Sequence, residues 1–159
     1  MSATTQVRTL SSRERQVVQG LANGLIVPLI ARQLGLSPQT VNSYCLAAKV
    51  KFNVRKAAAL VHAAYEAGEI PEPASAPVAV PLPDGQRALL PLIAQGKSAP
   101  QMAAELARPV TDVRNDVRSM MSALGVEQQP HLITRARQLG LFGPNGPGPM
   151  AVVMHGGNE

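Results

Sequence analysis

Gln39, Asn42 and Ser43 stand at spacing i, i+3, i+4, and Leu46 and Val50 continue the same series with Lys49 at its edge. At about 100° per residue these side chains share one face of a helix. Two amides, a hydroxyl and two branched apolar groups on one rod have a definite chemistry: Gln and Asn can pair two hydrogen bonds with the edge of adenine, and apolar groups can touch the thymine methyl. Seventy-two residues further on, Thr111, Arg114, Asn115, Arg118 and Ser122 repeat the pattern with guanidinium groups, which pair with guanine in the same way. Thr40, Lys49, Lys51 and Arg55 surround the first set and suit phosphate oxygens. On an arbitrary helix all of these would simply be solvated side chains, so the framework that carries them decides between the two readings.

That framework is helical. Ser11 and Glu14 form a capping box for a helix carrying Val17, Val18 and Leu21 inward and ending near Gly24. A second helix starts at or just before Pro28 and runs through Leu34. Gly35 supplies the tight turn, Ser37 caps the next helix and Pro38 takes its first position. This third helix runs to about Phe52, with Val41, Cys45, Ala48 and Phe52 on its inner face. A fourth spans roughly Lys56–Ala67 and ends at Gly68.

The chain then says nearly the same thing again. Sliding residues 10–70 by 72 positions lays them on residues 82–142 without a gap. Twelve positions coincide: Leu10/Leu82, Arg15/Arg87, Ala22/Ala94, Gly24/Gly96, Pro28/Pro100, Ala31/Ala103, Leu34/Leu106, Val41/Val113, Val54/Val126, Leu60/Leu132, Ala64/Ala136 and Gly68/Gly140. Such a repeat sets the unit that folds. In the second unit Ala107 replaces the turn glycine, a cost of roughly 1 kcal/mol if that position needs a positive φ. Arg108-Pro109-Val110-Thr111 offers no capping residue, so a shorter or shifted third helix starting near Val110 is expected.

Leu10-Ser-Ser-Arg-Glu-Arg-Gln-Val-Val, Ala22-Asn-Gly24, Ile30-Ala31-Arg-Gln-Leu34-Gly-Leu-Ser37-Pro-Gln-Thr40-Val41 and Lys51-Phe-Asn-Val54 together resemble the LuxR-type (GerE/FixJ-like) helix-turn-helix domain. The resemblance covers residues 10–70; residues 82–142 resemble the family only faintly. It implies a four-helix domain in which helices two and three form the helix-turn-helix and helix four often pairs protomers. The first helix of such a motif braces the backbone while the second lies in the major groove. Two departures stand out. Leu25-Ile26-Val27 replaces the usual polar and charged residues before helix two, and Asn42 and Tyr44 replace the usual Lys and His.

The sequence therefore predicts an all-α chain of two tandem four-helix helix-turn-helix domains: a flexible N-terminus at 1–9, a domain at 10–70, a Pro-rich linker at 71–81, a degenerate second domain at 82–142 and a flexible Gly/Pro-rich tail at 143–159. The alternative for the tail is that Met150–Met154 docks on a groove. At about 3.1 Å per residue an extended eleven-residue linker spans about 34 Å, near one duplex turn. The net charge of +5 hints at a polyanionic partner. A sequence-specific transcription regulator is expected, with double-stranded DNA as partner, read in the major groove by the third helix of both repeats or of the first alone, the second then serving dimerisation or holding the fold. A homodimer through Ala59 and Ala63 on helix four is an alternative assembly, and Leu25, Ile26 and Val27 are either packed within their own domain or a docking patch for the other repeat or another protein. A protein-interaction module that sequesters a regulator is the competing function. One cysteine excludes an internal disulfide, no apolar run reaches the ~20 residues that cross a bilayer, and Met1–Thr9 lacks a signal-peptide core. A cytoplasmic, nucleoid-associated protein is expected. His62, His131 and His155 lack metal-ligand spacing, Cys45 reads as core, and no nucleophile–base pairing or phosphate loop is present. Neither an enzyme nor a cofactor is expected.

Overall fold

Ser11 accepts from the Glu14 amide while the Glu14 carboxylate accepts from the Ser11 amide at 2.9 Å, and from this closed capping box the first helix, α1 (Ser12–Ala22), begins. In the computed structural model, which describes residues 9–76, 80–143 and 146–147, eight further helices follow: α2 (Val27–Leu34), α3 (Pro38–Phe52), α4 (Ala57–Glu66), α5 (Asp84–Arg87), α6 (Leu89–Ala94), α7 (Ala99–Leu106), α8 (Val110–Leu124) and α9 (Gln129–Gln138). A two-residue ribbon, β1 (Phe142–Gly143) with β2 (Gly146–Pro147), comes after α9. Thr9 and residues 143, 146 and 147 are the described parts of the expected terminal segments. The Met150–Met154 segment and His155 lie outside the described residues.

The boundaries of α2, α3 and α4, moved by 72, are those of α7, α8 and α9. Gly35 takes a left-handed φ of 69° between α2 and α3, and Ala107 takes 55° at the matching place. That conformation costs a side-chain-bearing residue about 1 kcal/mol more than glycine. The helix after Ala107 is nevertheless neither shortened nor shifted, contrary to the sequence expectation. α8 has the same fifteen residues as α3 although Pro109 provides no cap. Its length is held by tertiary packing: Val113, Val117, Met120 and Leu124 are buried at i, i+4, i+7, i+11.

The first helix is where the two halves differ. α1 is continuous, whereas its counterpart breaks at Ala88 into α5 and α6. Pro91 causes the break. It has no N–H to give the Arg87 carbonyl, and its ring excludes that carbonyl from the helical position. Gln19 occupies the equivalent place in α1.

The halves share one core. α4 packs along α9, α1 packs on α9, and α6 packs on α4. The contact is reciprocal: a Cβ on Gly24 would meet the His131 ring, and a Cβ on Gly96 would meet the Ala59 Cβ. Gly24 and Gly96 are repeat counterparts, and so are Ala59 and His131. Each half therefore offers the same patch to the other, the hallmark of a two-fold interface. Leu60 and Leu132, fully buried counterparts on α4 and α9, belong to this common core. Tyr65 and Arg137 are also counterparts. The Arg137 guanidinium lies 4.8 Å from the Tyr65 ring centre, and the Tyr65 hydroxyl is 2.8 Å from Thr134 Oγ1.

Two expectations are corrected by this packing. Ala59 is buried against the second half and Ala63 is half-buried, so the α4 face expected to pair two chains is already covered by α9. The linker is no 34 Å strut either. Glu72 takes two hydrogen bonds of 2.8 Å from Arg137, the Ala76 amide donates to the Gln138 carbonyl at 3.0 Å, and flanking Ile70 and Leu82 are buried. A linker anchored on α9 brings the halves into contact instead of spacing them.

Candidate nucleic-acid interface

The outer side of α3 is built by its own start. Ser37 accepts from the Thr40 amide at 3.1 Å, its hydroxyl lies 2.9 Å from Thr40 Oγ1, and Pro38 fixes the first turn. With Val41, Cys45 and Ala48 buried beneath, Gln39, Asn42, Ser43, Leu46 and Val50 are left facing solvent. Ser43 donates to the Gln39 carbonyl at 3.2 Å, so its hydroxyl is partly engaged by its own helix. Leu46 is 63% exposed and Val50 70%, far more than large aliphatic side chains usually are.

The residues expected to hold phosphate divide. Arg55 is exposed, Lys49 and Thr40 are half-buried at the rim, and Lys51 turns inward. Its ammonium donates to Glu14 Oε1 at 2.7 Å and to the Thr9 carbonyl at 3.1 Å. Lys51 thus ties α3 to the α1 capping box, which corrects its placement among the outward cations. Glu14 is itself buried, and burial alone would raise its pKa. The Lys51 ammonium and the Ser11 groups outweigh that and hold the carboxyl below its ordinary range. The sequence carried a signal for this pair: Glu14–Lys51 becomes Gln86–Ala123 in the repeat, both charges lost together.

Leu25-Ile26-Val27 also divides. Leu25 and Val27 pack partly against the core, and only Ile26 points outward, 46% exposed. Leu29, at 40%, extends that exposure along α2. The segment is therefore not a three-residue surface patch, because two of its members are partly buried against the core. Cys45 is buried, and desolvation raises its thiol pKa, with Lys49 opposing.

On α8, Thr111, Arg114, Asn115 and Arg118 are all exposed. Asn115 Oδ1 accepts from Arg118 Nη1 at 3.0 Å, which steadies the guanidinium over the outer face. Asp116 is paired with Arg108, so of the two acids on this helix's surface Asp112 is the exposed one. Arg114 and Arg118 border a cleft of about 350 Å³ with Lys56 just before α4 and Lys97 before α7, its floor formed by Met102 and Val117. Lys97 is paired with Glu105 at 2.9 Å. Sequence reasoning had not brought Lys56 and Lys97 to this helix. The cap on α7 was also missed, although Ser98 and Gln101 have the spacing of a capping box and form one.

The charge is distributed unevenly. No Asp or Glu occurs between Glu14 and Glu66, a stretch holding Arg15, Arg32, Lys49, Lys51, Arg55 and Lys56. The whole α2–turn–α3 unit is therefore free of acids, as a surface facing a polyanion should be.

Residues 8–64 match the family model of the bacterial regulatory proteins of the luxR family. They form a LuxR-type helix-turn-helix domain. The chain is 41% identical over 63 residues to the transcriptional regulatory protein FixJ of Bradyrhizobium diazoefficiens, which covers 40% of this chain and 31% of that protein. FixJ of Azorhizobium caulinodans is 41% identical over 66 residues, covering 42% and 31%. The transcriptional activator protein ExaE of Pseudomonas putida is 43% identical over 63 residues, covering 40% and 29%. The chain thus spans about a third of the length of these curated relatives. No solved structure matches it. In the LuxR-type domain the helix-turn-helix is α2–Gly35–α3, and among the described residues no helix is long and apolar enough to cross a membrane.

Proposed function

We propose that the chain is a sequence-specific double-stranded DNA-binding regulator of transcription, acting on the chromosome in the cytoplasm. In this reading α3 enters the major groove, and the second half is a diverged copy whose α8 enters a neighbouring groove. The observation that carries it is the outer side of α3. Within the LuxR-type domain a capped helix behind a left-handed glycine turn presents Gln39 and Asn42 to solvent, on a unit without a single acid. Leu46 contacts bases, Thr40, Lys49 and Arg55 hold phosphates, and the N-terminal amides of α3 assist. Thr111, Arg114, Asn115 and Arg118 take the corresponding places on α8. The pairing that helix-turn-helix proteins normally obtain from two chains comes here from α4 against α9.

A second reading is favoured by one observation. Ile26, Leu29, Leu46 and Val50 are the exposed large hydrophobics of the described residues, and all four belong to the first half. An apolar surface of this kind also serves protein docking, which makes the chain a module that binds another regulator. Selection from a random duplex pool with the full chain, followed by a salt titration, separates the two. A DNA regulator enriches defined sites and loses affinity in proportion to the phosphates it neutralises. A docking module retains no duplex even at low salt.

A further inference from the structure

Counterpart positions on α3 and α8 carry different chemistry. Asn42 corresponds to Arg114 and Leu46 to Arg118, while Val50 corresponds to Ser122. The reciprocal contacts of Gly24 with His131 and Gly96 with Ala59 relate the two helices by an approximate two-fold, so counterparts stand at the same depth toward any shared duplex. Even the grooves at the ends of these helices match position for position: Leu46, Lys49, Val50, Asn53, Val54 and Arg55 line one, and the residues 72 further on line the other.

We infer that the chain reads a non-palindromic site, one half rich in A·T and the other centred on guanine. This rests on the DNA reading given above. Gln39 and Asn42 are amides that pair with adenine N6 and N7, and Leu46 and Val50 supply the apolar contact that thymine methyls take. From residue 39 to residue 50 the helix rises about 16 Å, the length of four to five base pairs. The exposure of Leu46 and Val50, costly in water, is accounted for by methyl groups in the groove. On α8 the guanidiniums of Arg114 and Arg118 pair with guanine O6 and N7. Lys56 and Lys97 on the rim of the same cleft are placed for the backbone flanking that half.

The test uses the full chain and the random-pool selection, then measures affinity for the recovered site by fluorescence anisotropy. The expected site has one A·T-rich half and one guanine-bearing half. Replacing thymine by deoxyuridine in the A·T half, which deletes only methyls, should weaken binding about fourfold per contacted methyl. Leu46→Ala should lower affinity for the thymine site and remove the uracil sensitivity at the methyl that Leu46 contacts. Arg114→Ala should cost about tenfold and erase the guanine preference in the other half alone. Recovered sites that are palindromic, uracil substitution without effect, or an Arg114→Ala variant that keeps its guanine preference would overturn the inference while leaving DNA binding in place. A pool from which nothing is enriched would overturn the DNA reading and this inference with it. The uracil measurement needs no variant, so it stands even where a substitution disturbs the fold.

Discussion

The two halves share a frame but place their internal ion pairs differently. Glu14–Lys51 ties α1 to α3, and Arg15–Glu69 ties α1 to the end of α4. Their counterparts are Gln86–Ala123 and Arg87–Leu141, and the Arg87 Nε is buried without a hydrogen-bond partner. The second half has its own pairs, Lys97–Glu105 and Arg108–Asp116, where the first has Leu25 with Gln33 and Leu36 with Tyr44. The helices α2–α4 and α7–α9 are nonetheless superimposable in length and register. What stayed fixed is the apolar packing and the reciprocal contact; what drifted is the electrostatics and the outer faces. Packing sets this fold; Glu14–Lys51 has no charged member in the second half, whereas Arg87 keeps its charge without an acid at 141.

The largest expected effect tests whether the halves are one cooperative unit. Leu60→Ala and Leu132→Ala should each cost about 3 kcal/mol and lower a single shared calorimetric transition. Two transitions, with each variant moving only one, would mean that the halves fold separately.

Next comes the seam. Gly24 has a φ of +89°, and an added Cβ would stand 2.5 Å from His131 Nδ1. At Gly96, φ +85°, the nearest atom is the Ala59 Cβ at 3.2 Å. Both alanine variants carry the left-handed penalty of about 1–2 kcal/mol, but Gly24→Ala must also displace an imidazole. Gly24→Ala should therefore melt lower than Gly96→Ala, and adding His131→Ala should bring the two together.

Acid should weaken the shared fold through two carboxylates of the first half. Glu14 and Glu69 both have lowered pKa values. For each, burial works upward and is outweighed, by Lys51 and Ser11 in one case and by Arg15 and the Leu10 amide in the other. A carboxylate with a lowered folded pKa binds fewer protons folded than unfolded. Its stabilisation is complete above the ordinary carboxylate range and is lost as pH falls through and below about 4. Glu14→Gln copies the second half. It should cost about 2 kcal/mol at neutral pH and flatten the acid limb of a stability–pH curve measured by denaturant titration. An unchanged acid limb would assign the sensitivity elsewhere.

The smallest effect is a gain. Ala107→Gly restores the residue of the first half at a left-handed position and should stabilise by up to about 1 kcal/mol, seen as a rise of about 2–4 °C in Tm. No rise would mean that the unfolded-state entropy of glycine cancels the relief.

Much of this frame was legible in the sequence because its signals are local. Ser11 and Glu14, Gly35, and Ser37 with Pro38 mark helix ends through bonds made within four residues, and each performs its expected task. The break at Ala88 was equally local and overlooked, since Pro91 sits where α1 has Gln19. What sequence alone did not disclose is long-range. That α9 covers α4, that Glu72 anchors the linker, and that Lys51 turns toward Glu14 all depend on how distant faces meet, and spacing along the chain does not encode that meeting. The repeat register nonetheless held a clue: Gly24 and Gly96 persist while Ala59 and His131 differ, as expected of a seam that must stay thin on one side only.

The seam between α4 and α9 also changes how the protein responds to its own abundance. A pair of separate chains must find each other before acting, so its active fraction collapses on dilution. In the proposed reading, in which both halves act on one duplex, the partner comes on the same polypeptide at a fixed and high effective concentration. In that reading one chain suffices for one site, so occupancy rises with the first power of the number of chains.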